Sequence, residues 1–198
     1  MAIHHRPDHI ARASLQAEFP NLAKSDWTVR SPFDDSYQCI AWAAGCTDRS
    51  WWPNRDYYWP AGLPTIDPPE IATTDHFILG FETLGYEPCE TGAFEIGYQK
   101  LAVYANEVGV THMARQHFLG RGWLSKLGNL EDIFHRELRD IEGSTSAMAG
   151  EYGEVVQFLR RTWWAAAKYG LLRTWWAGLR FWLLRAKDRL GFTKYTTP

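Results

Sequence analysis

The sequence predicts an α+β fold, in which helices precede an antiparallel sheet. Three segments in the middle of the chain alternate apolar and polar residues, which is the period of a half-buried strand. These segments are 99–105, 109–117 and 122–127. The part of the chain before them carries the spacing and the end signals of helices. A block of helices followed by neighbouring strands is typical of an α+β domain and not of a βαβ repeat.

Three helices are predicted before the sheet. The first covers residues 8–19, since Asp8 is a capping residue and Pro20 ends the helix. The second is the short apolar segment 37–45, which ends at a glycine. The third begins after a Thr-Thr-Asp cap at 73–75 and runs to residue 84, before another glycine. The helices are separated by loops, one of which is rich in Trp, Tyr and Pro.

Two elements are predicted after the three strands. Residues 131–138 have the composition of a short helix, and residues 154–159 form a last strand. A domain of this length buries about two-thirds of its unfolded surface, which is enough for a core. We therefore predict an α+β domain over residues 1–161 and a separate helical extension over residues 162–198.

The extension differs from the domain in charge. Residues 160–198 contain nine Lys and Arg residues and one acid, Asp188, so this segment carries +8 and the rest of the chain −10. At 100° per residue the extension places Trp and Leu on one wide arc with a basic stripe at its edge. The arc includes Trp164, Trp175, Trp176 and Trp182, and the stripe consists of Arg173, Arg180 and Lys187.

An amphipathic helix of this kind has three alternative partners. A Trp/Leu face flanked by basic residues fits a membrane surface, where apolar insertion and attraction to anionic lipid act together. The same face also fits the protein's own domain or a second copy. Nucleic acid is the weakest alternative, because the segment contains no recognised binding motif.

The cysteine spacing and the lack of a predicted signal or membrane-spanning segment indicate a reduced compartment. The three cysteines, at positions 39, 46 and 89, have no disulfide or metal-site spacing. No secretory signal and no transmembrane span is predicted. We expect a cytoplasmic protein, with peripheral membrane binding through its extension as an alternative. No cofactor or metal is expected, since Cys39, Cys89, His112 and His135 lack the close ligand pairs of a zinc site.

Cys39 is the residue whose position points to chemistry. It lies at the start of the second predicted helix, where the partial positive charge of a helix N-terminus favours a thiolate. A thiol nucleophile also needs a base, and His112 lies in a predicted strand. On composition alone, the alternative for each is a buried structural residue. Trp42 lies on nearly the same helix face as Cys39 and is expected to be buried beside the sheet.

Longer strings around these residues resemble a family of bacterial proteins of unknown function. The strings are Tyr37 to Gly45 (YQCIAWAAG), Thr111 to Gln116 (THMARQ), Gly122 to Gly128 (GWLSKLG) and the segment EDIFH at 131–135. The resemblance covers roughly residues 20–161. It implies that the family's pattern includes Cys39, His112 and His135, but it implies no activity. From its predicted helix, His135 is expected to be a surface or packing residue.

A more remote resemblance concerns Gln38-Cys39 and Trp42, which are similar to the Cys helix of papain-like amidases of the CHAP and NlpC/P60 families. That resemblance implies a Cys-bearing helix packed against an antiparallel sheet, and hydrolysis of an amide bond in a peptide or related substrate. Cys39 is then the nucleophile and His112 the base. Ser125, Asn129 and Asp132 are candidates for the third polar residue, with Ser125 preferred. The alternative is a non-catalytic interaction module that docks through the C-terminal helix.

Overall fold

A seven-stranded antiparallel sheet forms the centre of the protein in the computed structural model, which describes residues 8–143 and 151–168. The strands lie in the spatial order β1-β6-β5-β4-β3-β7-β2. In chain order they are β1 (Trp27–Val29), β2 (Glu87–Cys89), β3 (Tyr98–Asn106), β4 (Gly109–Gln116), β5 (Trp123–Lys126), β6 (Asp132–His135) and β7 (Glu154–Thr162).

Helices cover both faces of this sheet. They are α1 (Asp8–Glu18), α2 (Cys39–Ala44), α3 (Thr74–Glu82) and α4 (Trp163–Lys168), with 3-10 helices at Pro20–Lys24 and Leu138–Ile141. Because side chains alternate along a strand, β3, β4 and β7 each contribute to two separate cores. The first core lies under α2 and α3 and includes Leu101, Val103, Met113 and Leu159. The second core lies under α1 and includes Ala102, Tyr104, Ala114 and Ile133.

The three predicted helices are confirmed as α1, α2 and α3, and the first three predicted strands are confirmed as β3, β4 and β5. Their boundaries differ from the predicted ones by at most two residues. The end of α2 shows why the sequence signal was reliable. Gly45 adopts the left-handed conformation, with φ of 82°, and its N–H bonds to carbonyls of the last helical turn. Glycine adopts this conformation without the steric cost that a Cβ brings. The α+β class is therefore confirmed.

The predicted helix over 131–138 is wrong. Residues 132–135 form β6, which pairs with β5 on one side and β1 on the other. Within it, Ile133 and His135 face the second core, and Asp132 and Phe134 face the opposite side. Four residues are too few to separate a period of 2 from a period of 3.6, so neighbouring strands decide the conformation. His135 is consequently fully buried in the sheet and is not on a helix surface.

The last strand is longer than predicted and does not lie at an edge. β7 runs to Thr162 and lies between β3 and β2 in the sheet. β2 was not predicted as a strand. Arg161 is buried and donates from Nε and Nη2 to Gln99 Oε1, at 2.9 and 2.5 Å. The predicted boundary at residue 161 thus falls inside β7.

The helices of the described segments are all short. None of them is both long and apolar enough to cross a membrane.

Gly153 provides a test of how closely β7 is held against β3. Its φ is +70°, and a Cβ on it would lie 2.0 Å from the Ala105 carbonyl oxygen of β3. Gly62 has a similar φ of +83° but has no atom within 4 Å of an added Cβ. We expect Gly62→Ala to lower the free energy of unfolding by about 1–2 kcal/mol, the cost of left-handed backbone alone. Gly153→Ala should cost about 1–3 kcal/mol more, because the backbone also has to move.

Denaturant titration of both variants measures the difference. Equal losses of stability in the two variants would show that β7 does not approach β3 as closely as described.

Candidate functional site

Gln38 positions the cysteine at the start of α2. Its backbone is extended, and its side-chain Oε1 accepts a hydrogen bond of 2.9 Å from the Ala41 N–H. This satisfies one of the N–H groups that a helix leaves without a partner in its first turn. The other end of the same side chain, Nε2, donates to the Trp51 carbonyl at 2.5 Å. Cys39 is therefore the first residue of α2, as the sequence predicted.

The Cys39 thiol is buried and protonated. Only 6% of the residue is exposed, and Sγ lies 3.8 Å from the Thr111 carbonyl oxygen, to which the S–H donates. Burial raises the pKa of the Cys39 thiol to about 11, although backbone N–H groups of Met113 and Ile40 act in the opposite direction. Desolvation disfavours the thiolate more than the helix N-terminus favours it. At neutral pH Cys39 is a thiol.

His112 belongs to a polar chain in the second core. Its Nε2 lies 3.1 Å from Ser125 Oγ, and that oxygen lies 2.9 Å from His135 Nε2. The other nitrogen of His135, Nδ1, lies 2.8 Å from the Glu137 carbonyl oxygen. The His112 ring also stacks on Tyr152, with ring centroids 4.2 Å apart. Three neighbouring strands, β4, β5 and β6, thus each contribute one side chain.

The direction of the hydrogen bonds follows from the carbonyl at the end of this chain. A carbonyl only accepts, so His135 Nδ1 carries the proton and its Nε2 accepts from the Ser125 hydroxyl. Ser125 Oγ then accepts from Nε2–H of His112. His112 Nδ1 is left as a buried acceptor without a hydrogen-bond partner. Burial lowers the pKa of His112 well below 6.5 and that of His135 to about 4, so both rings are neutral.

The structure joins His112 to Ser125 by a hydrogen bond, whereas the Cys39 thiol bonds to the Thr111 carbonyl. Cys39 is part of the first core with Met113, whereas His112 packs against Tyr104 and Tyr152 of the second core. No hydrogen bond joins Cys39 to His112 in the described part of the chain, and both groups are in the uncharged form. The catalytic roles assigned to Cys39, His112 and Ser125 stay predictions.

A second polar cluster holds α2 against the other face of the sheet. Trp42 Nε1 donates to Asp132 Oδ2 at 3.1 Å, and the Arg115 guanidinium lies over the Trp42 ring, 4.2 Å from its centroid. Arg115 also donates to the Trp42 carbonyl oxygen. Trp42 is half-buried and packs on the first core, so its helix faces the sheet as predicted but leaves part of the ring in solvent.

Lys126 extends this cluster to the loop before α2. It is fully buried, its ammonium donates to the carbonyls of Asp34 and Leu130, and it lies 5.0 Å from the centre of the Tyr37 ring. Burial raises the pKa of the Asp132 carboxyl to about 6, while the positive charge of Lys126 opposes that shift. The cluster thus combines two cations, one carboxyl and two aromatic rings.

Sequence reasoning missed the partners in both clusters. His135 was assigned to a helix, and Tyr152, Arg115 and Lys126 were not singled out. The alternation of side chains along a strand could have identified these partners. Ser125 and Lys126 are adjacent in one strand and therefore point to opposite faces of the sheet. The same holds for Asp132 and Ile133. Asn129 forms no contact with either cluster, and Asp132 belongs to the cluster with Trp42 and not to the chain with His112.

The proposed docking residues lie mostly beyond the described part of the chain. Trp164 is described, in α4, and is 87% exposed. The remaining residues of the Trp arc and of the basic stripe lie outside the described residues: Trp175, Trp176, Trp182, Arg173, Arg180 and Lys187. Among the residues described, no group of three or more His, Cys, Asp or Glu side chains is placed to hold a metal ion.

Comparison with known proteins gives one match. The model of a domain of unknown function, DUF7689, matches residues 28–160, which is about two-thirds of the chain. No curated protein and no solved structure matches. The match agrees with the resemblance to a family without a known activity. It adds no support to the remote resemblance to CHAP and NlpC/P60 amidases.

Opposite dependences on pH are expected from the two clusters. His135 has a folded pKa of about 4, below its ordinary 6.5, so the unfolded chain binds more protons and stability is lost as pH falls from 6.5 to 4. Asp132 has a folded pKa of about 6, above 3.8, so the folded chain binds more protons and stability is lost as pH rises from 3.8 to 6. Each group contributes a slope of up to about 1.4 kcal/mol per pH unit.

Two neutral polar variants separate these contributions. Between pH 4 and 6, His135→Asn should remove one proton-binding difference and flatten the fall in stability at acid pH. Asp132→Asn should make that fall steeper, because it removes the opposing term while keeping an acceptor for Trp42. Urea titrations across this pH range measure both slopes. Parallel curves for the two variants would contradict the assignment of the buried charges.

Proposed function

Because the chain belongs to the DUF7689 family, a family of domains of unknown function, its role has to be inferred from its own residues, and we propose that it is a non-catalytic interaction module. The observation that carries this proposal is the state of Cys39. A nucleophilic thiol needs access to solvent, a base and a lowered pKa. Cys39 has a buried sulfur, a carbonyl as its partner and a raised pKa.

The state of His112 supports the same proposal. A base for Cys39 has to receive a proton from sulfur, and the resulting imidazolium has to be stabilised. His112 is enclosed between Ser125 and Tyr152, and its pKa is lowered by burial and by His135. Among the described residues, no ion pair joins a carboxylate to the His112 ring. The hydrogen-bonded chain of His112, Ser125 and His135 thus satisfies polar side chains that are buried in the sheet. It is not suited to proton transfer.

The docking element of the module is the basic, Trp-rich C-terminal segment. It begins in α4, where Trp163 and Trp164 are exposed directly after the last strand of the sheet. Exposed Trp side chains are costly in water and are common where proteins meet other surfaces. The segment from residue 160 onward carries +8, against −10 for the preceding chain. An anionic surface is therefore attracted to this segment.

A papain-like thiol hydrolase is the second candidate. One observation favours it: His112 Nδ1 is a buried ring nitrogen without a partner, and Cys39 Sγ contacts Thr111, the residue next to His112. A rearrangement that moved the sulfur toward Nδ1 would create a Cys-His pair with Ser125 on the other side of the ring. Hydrolysis of an amide bond then requires such a rearrangement before the nucleophile forms.

Alkylation distinguishes the two candidates within one molecule. Cys46 and Cys89 are partly exposed free thiols, and they act as internal controls for Cys39. On exposure to iodoacetamide at pH 7, we expect Cys46 and Cys89 to be modified first and Cys39 only as the protein unfolds. Peptide mass spectrometry at successive times measures the order. Preferential modification of Cys39 below pH 8 would support the hydrolase and contradict the interaction module.

Docking through the C-terminal segment is tested with the full chain and vesicles. We expect flotation with phosphatidylcholine vesicles that contain phosphatidylserine, and weaker flotation at high salt, since charge and insertion both contribute. Replacing Arg173, Arg180 and Lys187 by Gln should weaken binding by about fivefold for each charge. Trp175→Ser with Trp176→Ser should weaken it at all salt concentrations. A different result would show that the segment packs on protein instead. In that case the wild-type protein does not float with the vesicles, and the variants differ from it in oligomeric state.

A further inference from the structure

One end of the sheet gathers exposed apolar side chains from three separate segments. The loop before β3, the turn between β4 and β5, and α4 after β7 all lie at this end, because antiparallel neighbours place the start of one strand beside the end of the next. The side chains are Phe94, Ile96, Phe118, Leu119, Trp163 and Trp164, and they are called here the sheet-end surface.

Direct contacts hold the three segments together. The Trp163 N–H donates to the Gly97 carbonyl at 3.0 Å, which joins α4 to the loop before β3. Phe94 packs over Gly120, where an added Cβ would lie 2.5 Å from the Phe94 ring. Gly120 therefore has to remain without a side chain for these two loops to approach. Ile96 and Trp164 are each 87% exposed, so the most apolar parts of the surface extend furthest into solvent.

Positive charge accompanies these apolar side chains. Arg136 Nη1 donates to the Arg121 carbonyl at 3.1 Å, so both arginines lie beside the turn that carries Phe118 and Leu119. Both are exposed, and neither takes part in an ion pair of the described residues. The acid within the loop before β3, Glu95, is neutralised by Arg160 at 3.2 Å and Lys100 at 3.5 Å. The other acid of that loop, Glu90, is exposed at its start.

We propose that the sheet-end surface inserts into an anionic membrane surface, together with the C-terminal segment that begins there. This inference rests on the proposed docking function and names its partner and a second contact site. Separate apolar tips beside unpaired arginines match the two requirements of interfacial binding, which are insertion of side chains between headgroups and attraction to anionic lipid. α4, which carries Trp163 and Trp164, follows β7 at this same end of the sheet.

The test compares matched substitutions at the two ends of the sheet in the full chain. Ile96→Ser with Leu119→Ser changes the sheet-end surface. Ile71→Ser with Val108→Ser is the control, because Val108 is 71% exposed in the β3–β4 turn at the opposite end and Ile71 lies against the adjacent Gly109. Binding to vesicles of phosphatidylcholine and phosphatidylserine is measured by flotation. We expect about a tenfold loss or more for the first pair and no change for the control.

Charge substitutions give an independent readout. Arg121→Gln and Arg136→Gln should each weaken binding to these vesicles by about fivefold and leave binding to pure phosphatidylcholine unchanged. Thermal unfolding should be nearly the same for all of these surface variants, which excludes misfolding as the cause.

Each other outcome overturns a defined statement. If the wild-type chain binds vesicles and only substitutions in the C-terminal segment weaken binding, docking stands and the sheet-end surface is not part of it. If the wild-type chain binds no vesicles, both the lipid partner and the sheet-end proposal fail. If Ile96→Ser with Leu119→Ser changes the mass measured by light scattering but not vesicle binding, the surface is a contact between copies of the chain, and the membrane inference is wrong.

Discussion

Coverage of the sheet on both faces is the constraint on which the rest of the structure depends. With helices on either side, a polar side chain that points inward cannot reach water and has to find its partner within the protein. The strands carry several such side chains, including His112, Arg115, Ser125, Lys126 and His135. They are sorted by the pleat into two clusters, one on each face. Both clusters are built from the same three neighbouring strands, so β4, β5 and β6 are fixed relative to one another by polar contacts as well as by their backbone ladder.

This sorting changes the meaning of the sequence strings that resemble a known family. Within THMARQ, His112 and Arg115 serve different faces, and within GWLSKLG the adjacent Ser125 and Lys126 do the same. As a linear pattern, Cys39, His112 and Ser125 are the residue types of a hydrolase. Once the alternation of side chains along the strands is taken into account, most of the polar residues in these strings form hydrogen bonds with one another or with the backbone in the interior. Cys39 likewise contacts the backbone of β4, at the Thr111 carbonyl, and stays a thiol.

Much of the fold could be predicted from the sequence because its signals are local. A proline, a capping residue or a glycine at the end of a helix acts within one turn, and α1, α2 and α3 were located from such signals. The strands β3 and β4 are long enough for their alternation to be read. Three of the short strands, β1, β2 and β6, were missed or misassigned, because they have three or four residues each and are stabilised by their neighbours in the sheet. The polar chain of the candidate site depends on the pairing of β5 with β6. When residues 131–138 are predicted as a helix, the contact between His135 and Ser125 cannot be predicted.

The position of β7 has a consequence for how the chain is made. β7 is the last of the described strands to leave the ribosome, yet it pairs with β3 along eight residues and is the neighbour of β2. A nascent chain that has not reached Glu154 therefore presents the edge of β3 without a partner and leaves β2 outside the sheet. An unpaired edge of this length is a site where two unfinished chains can join. Completion of the sheet has to await synthesis of nearly the whole domain, so this protein depends on its last strand for protection against aggregation during translation.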